Sequence, residues 1–163
     1  MKARYDDLAA RIKACSSCYF RNLAIQPLPA AEVDPPVPVM FIGENPSWEE
    51  GQRIPFDEST TSGQSLDANY LQPLRLSRNE VWITDLFKCR YPKSVLNSKQ
   101  REEPKIQREV VEACKQWLTV EISFARPSIL VTLSERQDYA SEDDVFSSYP
   151  GPICQSCGQT APS

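Results

Sequence analysis

Histidine is missing altogether from this chain of 163 residues. Its absence removes the commonest general base near neutral pH and the commonest non-thiolate zinc ligand. No apolar run approaches the roughly 20 residues that cross a bilayer, so no membrane span is expected. No apolar segment follows Met1-Lys2-Ala3-Arg4-Tyr5-Asp6-Asp7. No signal peptide is therefore expected, and a reducing cytoplasm is. An excess of positive charge is lacking too. Eighteen Lys and Arg against 22 Asp and Glu leave a net charge of −4, with a pI near 5.0. Such a chain does not grip nucleic acid by bulk electrostatics. Any DNA contact must be local, through a patch such as Lys88, Arg90, Lys93, Lys99 and Arg101. Internal repeats are absent as well.

What the chain does hold is cysteine. Cys15 and Cys18 form a C-x-x-C pair, Cys89 lies in the run Trp82-Ile83-Thr84-Asp85-Leu86-Phe87-Lys88-Cys89-Arg90, and Cys114 falls inside a predicted helix. In a reducing compartment, cysteines at ligand spacing are more often metal-binding or catalytic than disulfide-bonded. These four look like the ligand set of one iron–sulfur cluster, which gathers thiolates from separate segments. Cys154 and Cys157 form a second C-x-x-C pair. With Cys15 and Cys18 they offer an alternative, a four-thiolate zinc site in a structural or interaction protein, which leaves Cys89 unexplained.

With 40% hydrophobic and 25% charged residues, the chain suits one soluble domain with a real core. A monomer is expected. Tyr5, Leu8, Ala9 and Ile12 recur at helical spacing and predict a helix over Asp6 to Cys15. Prolines 27, 29, 35, 36 and 38 mark an irregular stretch. Val37 to Ile42 reads as a buried strand ending at Gly43, and Glu44 to Gly63 as a long functional loop. A helix is expected over Ser65 to Leu76, with Leu66, Tyr70, Leu71 and Leu74 on one face. Strands are expected at Glu80 to Thr84 and Ser128 to Leu133, with a long helix from Pro104 to Ala125 between them. Its inner stripe has one charged exception, Glu121, and Pro127 ends it. Strand and helix in alternation imply an α/β fold with a parallel sheet, and a site at the carboxyl ends of its strands. Gly43-Glu44-Asn45 and Asp85 fall there and are expected to face one cleft. The pattern stops near residue 134, so residues 135–163 are expected to form an irregular tail.

These residues resemble the family 4 uracil-DNA glycosylases, the iron–sulfur branch of their superfamily. Met40-Phe41-Ile42-Gly43-Glu44-Asn45-Pro46 looks like the family's first motif, G-E-x-P-G. Glu49-Glu50-Gly51-Gln52-Arg53-Ile54-Pro55-Phe56 and Ser62-Gly63-Gln64-Ser65-Leu66 resemble its continuation. Val81 to Arg90 is similar to its V-Y-I-T-N-x-x-K-C-R strand. Cys114 to Leu118, Glu121-Ile122 and Pro127 to Leu133 are similar to its last helix and strand. The likeness runs over residues 5–134.

The resemblance implies a three-layer α/β/α domain and a structural 4Fe-4S cluster on Cys15, Cys18, Cys89 and Cys114. It implies hydrolysis of the N-glycosidic bond of deoxyuridine in DNA, with the base flipped into a pocket. Phe56 would stack on the uracil, and backbone at Gly43, Glu44 and Asn45 would meet its polar edge. Asp85 would read that edge. Glu44 and Glu49 or Glu50 would position water or stabilise the sugar cation.

Three departures stand out. The family has asparagine at Asp85; an amide both donates and accepts, whereas an ionised carboxylate only accepts. The family's later H-P-S motif has no counterpart. The last part of the domain also looks incomplete, and an insertion is expected around Ser94 to Lys105. The departures keep open a non-catalytic relative that binds uracil-containing or single-stranded DNA. Plainer readings exist for single residues. Cys114 or Phe56 suits a core, Asp85 a helix cap or turn, and Glu44, Glu49 and Glu50 a solvated loop. Trp48 suits a DNA wedge or a lid. Lys88 and Arg90 suit phosphate contact or balance of cluster charge.

Overall fold

The computed structural model describes residues 2–18, 27–47, 52–90, 104–133 and 149–155. Its centre is a parallel sheet of β1 (Val39–Gly43), β2 (Trp82–Asp85), β3 (Ile129–Thr132) and β4 (Ile153–Gln155), in the order β2-β1-β3-β4. Side chains alternate between the faces of each strand. Met40, Ile42, Trp82 and Leu130 point to one face. There they pack on Val110, Val111, Leu118 and Ile122 of the long helix Pro104–Ala125. Phe41, Val81, Ile83 and Val131 point to the other face and meet Leu66 and Leu71. Both faces are covered, which is why the strands read as continuous apolar runs. The result is the expected three-layer α/β/α arrangement.

The chain passes from β1 to its neighbour β2, then back past β1 to β3. Crossovers running in opposite directions place their helices on opposite faces and open a crevice at the strands' carboxyl ends. The first crossover holds α2 (Thr61–Leu66), a π-helical turn (Asp67–Leu71) and α3 (Gln72–Leu74). The second is α4 (Pro104–Ala125). Before the sheet, α1 (Lys2–Lys13) packs Leu8 and Ile12 against Trp117 of α4. The Tyr5 hydroxyl donates to the Ala30 carbonyl at 2.7 Å, joining α1 to the proline-rich segment.

Two features differ from the sequence expectation. The helical run after β1 begins at Thr61, not Ser65, because Thr60 caps it. The Thr60 hydroxyl accepts from the Gly63 N–H at 3.1 Å. The π turn then adds a residue to one turn and shifts the phase of the stripe. Leu66 and Leu71 stay buried, but Leu74 is 58% exposed instead of joining them. The second correction concerns the C-terminal segment. Within residues 135–163, expected to be irregular throughout, β4 pairs with β3 in the register Leu130↔Ile153, Val131↔Cys154 and Thr132↔Gln155. A three-residue strand carries too little periodicity to be read from sequence. Residues 134–148, 156–163 and most of the expected insertion lie outside the described residues.

Candidate active site

Gly43 ends β1 and sits in register beside Asp85 at the end of β2. A Cβ on Gly43 would come closer than 3.0 Å to both Asp85 Oδ1 and the ring of Phe56. The carboxyl, the aromatic ring and the bare glycine therefore converge at the sheet's carboxyl edge, and only a hydrogen fits between them. The backbone behind is zipped. Leu86 N–H donates to the Gly43 carbonyl, and Phe87 N–H to that of Glu44, both at 2.9 Å.

Asp85 is 1% exposed, and neither carboxylate oxygen has a hydrogen-bond partner among the described residues. It is thus neither a helix cap nor a turn residue. Burial pushes its pKa up from 3.8 to about 7; Lys88 pulls it down, while Glu121 and Glu44 push it further up. Two unpartnered oxygens in a buried site are rare in native proteins and mark a position built for something else to bind.

Phe56 has φ 51°, in the left-handed region. That conformation costs a non-glycine residue about 1–2 kcal/mol, so neighbours must hold it. On one side, the Arg78 guanidinium donates through Nη1 to the Phe56 carbonyl at 2.8 Å. On the other, the Asp57 carboxylate accepts from Arg53 N–H at 3.1 Å and from Ser59 N–H and Oγ at 3.0 and 2.7 Å. Those bonds hold the Asp57 carboxyl below its usual range. The ring of Phe56 is half-buried against the core of the α2 face.

Glu44 is near enough to act electrostatically on Asp85. The Asn45 amide donates to the Pro46 carbonyl at 3.0 Å. Trp48, Glu49 and Glu50 lie outside the described residues.

The expected basic patch needs correcting. Lys88 is 1% exposed and cannot meet phosphate. Its ammonium donates to Glu121 Oε2 at 2.5 Å, Thr84 Oγ1 at 2.7 Å and the Asp85 carbonyl at 2.6 Å. Thr84 in turn donates to Glu121 at 2.9 Å. A buried charge persists only when paired and hydrogen-bonded, and Glu121 supplies that partner from inside an apolar stripe. Arg90 donates to the Gln52 carbonyl at 3.3 Å, tying the loop before Phe56 to the segment after β2. Lys93, Lys99 and Arg101 lie outside the described residues.

The four expected cluster cysteines come from the end of α1, the segment after β2, and α4, and none of them is in a disulfide. Cys89 and Cys114 are buried in the core on the α4 face, with Cys18 packed against them. Cys15 receives the Trp117 indole N–H at 3.2 Å. The Cys114 thiol is pushed up to about 11 by burial, lowered by a hydrogen bond from the Lys88 backbone, and raised further by Cys18 and Cys15. Among the described residues no three ligand-type side chains are drawn tightly enough to hold a metal ion as they stand. The donor set itself suits a cluster: four thiols from three segments, with Cys15 and Cys18 near enough to act electrostatically on Cys114. Cys157 lies outside the described residues.

A parallel sheet with helices on both faces, and a ring and a buried carboxyl converging at its carboxyl edge, has the architecture of an α/β domain with its site at the strand ends. Residues 30–151 match the family described as the uracil DNA glycosylase superfamily, and the chain belongs to it. It is similar to the type-4 uracil-DNA glycosylase of Saccharolobus solfataricus, 33% identical over 129 residues, which are 78% of this chain and 54% of that protein. The type-4 enzyme of Sulfurisphaera tokodaii is 33% identical over 122 residues, 74% of this chain and 49% of its own length. That of Archaeoglobus fulgidus is 26% identical over 129 residues, 78% and 58%. The chain spans about half the length of the curated relatives it matches. Among the described residues no helix is long and apolar enough to cross a membrane.

Sequence reasoning missed Arg78 and the partners of Glu121. The second had a signal: a lone carboxylate within an apolar stripe requires a cation, and Lys88 beside Cys89 was available. Arg78 carried none, since its acceptors are two backbone carbonyls and a side chain from distant segments.

Proposed function

We propose that this chain is a uracil-DNA glycosylase that hydrolyses the N-glycosidic bond of deoxyuridine in DNA after the nucleotide is flipped out. The observation that carries this reading is the convergence of Gly43, Phe56 and an unpartnered Asp85. Glycine lets the carboxyl and the ring come together at the strand end, Phe56 stacks on the face of the base, and Asp85 meets its edge. Uracil offers an N–H beside a carbonyl there. A carboxyl that keeps its proton near neutral pH donates to the carbonyl and accepts from the N–H, as an amide does. The same proton lies against the oxygen that gains negative charge as the base departs, in a chain without histidine. Glu44, with Glu49 or Glu50, is assigned to the water or to the cationic sugar.

Cys15, Cys18, Cys89 and Cys114 are the residues that would hold a 4Fe-4S cluster, whose contribution is structural, with no electron transfer in the hydrolysis. A reducing cytoplasm suits four cysteines outside any disulfide. These residues support the cluster over the zinc alternative because Cys89 and Cys114 join Cys18 on one face.

The test is excision from single-stranded uracil DNA and a U:G duplex by anaerobically purified protein, followed by alkali. Cleavage at uracil that falls sharply in Phe56→Ala supports the reading. No cleavage by iron-loaded protein, together with retained binding of uracil DNA, would favour the non-catalytic relative.

A further inference from the structure

We propose that Arg78 is a positioning residue for the base-stacking ring: its guanidinium holds the Phe56 turn against the start of α2, setting the ring beside Gly43 and Asp85 before a base arrives. The proposal rests on the stacking role given to Phe56 above.

Three of its N–H directions find three different acceptors. Nε donates to Asp67 Oδ1 at 2.8 Å, Nη1 to the Phe56 carbonyl at 2.8 Å and Nη2 to the Gly63 carbonyl at 3.0 Å. Two of these are main-chain carbonyls of segments 22 and 15 residues away. A backbone acceptor fixes the course of the chain, not just a side chain. The Arg78–Asp67 pair is only about a quarter exposed, 23% and 29%, so the fork is largely shielded from water. A planar guanidinium serves three acceptors in fixed directions, which a lysine ammonium on a flexible stem does not.

The turn it grips needs gripping. Phe56 adopts φ 51°, which few bulky residues take. The approach is also close: a Cβ on Gly63 would lie under 3.0 Å from the carbonyl oxygens of Phe56 and Asp57. The bare glycine lets the turn sit on the helix, and Arg78 then bridges the Phe56 and Gly63 carbonyls from the side. With the φ of Phe56 held, the direction of its ring follows. The Asp57 bonds to Arg53 and Ser59 fix the turn's other half but do not touch the Phe56 carbonyl.

A simple staple would stabilise the domain without acting through Phe56, so the test must separate the two. Arg78→Gln and Arg78→Lys are made in the full chain, each alone and combined with Phe56→Ala. Single-turnover excision of uracil from single-stranded DNA is measured beside thermal melting. We expect Arg78→Gln to slow excision about 10- to 100-fold when Phe56 is present, the scale of a misplaced reacting group. In the Phe56→Ala background the further loss should be under about threefold. Arg78→Lys, which keeps the charge but not the fork, should fall between and serves if the glutamine variant does not fold. An equal loss in both backgrounds overturns the proposal.

A second readout does not depend on turnover. With 4-fluorophenylalanine at position 56, the parent should show one narrow fluorine resonance, and the Arg78 variants a shifted, broadened or split one. An unchanged resonance overturns the proposal even if excision falls. If the parent protein excises no uracil, the glycosylase reading fails while the fluorine comparison still decides whether Arg78 positions the ring.

Discussion

Replacing Asp85 by asparagine removes a buried group whose charge its surroundings oppose. The carboxyl is unpartnered and almost wholly buried, and its pKa stands at about 7 against an ordinary 3.8. Below the ordinary value, folded and unfolded chains both hold the proton. As pH rises, the unfolded chain releases it first, so the folded state binds more protons and stability falls. The fall is complete above pH 7. At about 1.36 kcal/mol per pH unit, the penalty is on the order of 4 kcal/mol. The groups facing Asp85 are Lys88, which favours its charge, and Glu121 and Glu44, which oppose it. Asp85→Asn carries no such penalty. Its advantage over the parent should grow from near zero at about pH 4 to several kcal/mol at about pH 8. Urea denaturation of both proteins under anaerobic buffers across that range reads this directly. Uracil excision should follow, with Asp85→Asn gaining most above pH 7, where the parent loses its proton. A stability difference that stays flat with pH, or that shrinks as pH rises, would refute the account of a buried neutral acid. Unchanged or lower excision would refute its part in reading the base.

Three further outcomes are expected. Gly43→Ala places a methyl against Asp85 Oδ1 and the Phe56 ring, so excision should drop at least tenfold while binding to undamaged single-stranded DNA is unchanged. Lys88→Met strands a buried Glu121 and should cost about 3–5 kcal/mol in urea denaturation; Lys88→Met with Glu121→Leu should recover most of it, because a buried pair adds little over apolar packing. Cys114→Ser should lose most of the iron found in anaerobically purified protein, and stoichiometric zinc in the parent would count against the cluster.

The strands and α4 were legible because each is uniform over its length. β1 and β2 are short runs buried on both faces, β3 is an apolar run anchored by Leu130, and α4 carries an apolar stripe from Val110 to Ala125. Gly43 and Asp85 were legible by position alone, since parallel strands put their ends at one edge. Other features depended on contacts no local pattern carries. The left-handed Phe56 rests on an arginine 22 residues further on. The start of α2 rests on one hydroxyl, that of Thr60. β4 exists by pairing with β3, not by its own three residues. Lys88 read as a surface cation because Lys-Cys-Arg is polar, and only the tertiary pairing with Glu121 shows otherwise. That pairing spans 33 residues.

The short stretch from Thr84 to Cys89 explains why thiols at one face would matter to a base pocket at the other. Alternation sends Thr84 toward α4 and Asp85 toward the Phe56 side. Lys88 then crosses back: its ammonium holds the Asp85 carbonyl at 2.6 Å while its own backbone N–H bonds the Cys114 thiol. One residue therefore touches the Asp85 peptide and the Cys114 thiol at once. Its pairing with Glu121 adds little net stability, since desolvation of two charges offsets most of their attraction. What the pair does supply is direction, because three acceptors around one ammonium leave it a single arrangement. A shift of the Cys89 and Cys114 segments would move Lys88, and with it the Asp85 peptide. A cluster held by these thiols would need no redox step to be required for the proposed excision; holding that peptide in place would be sufficient.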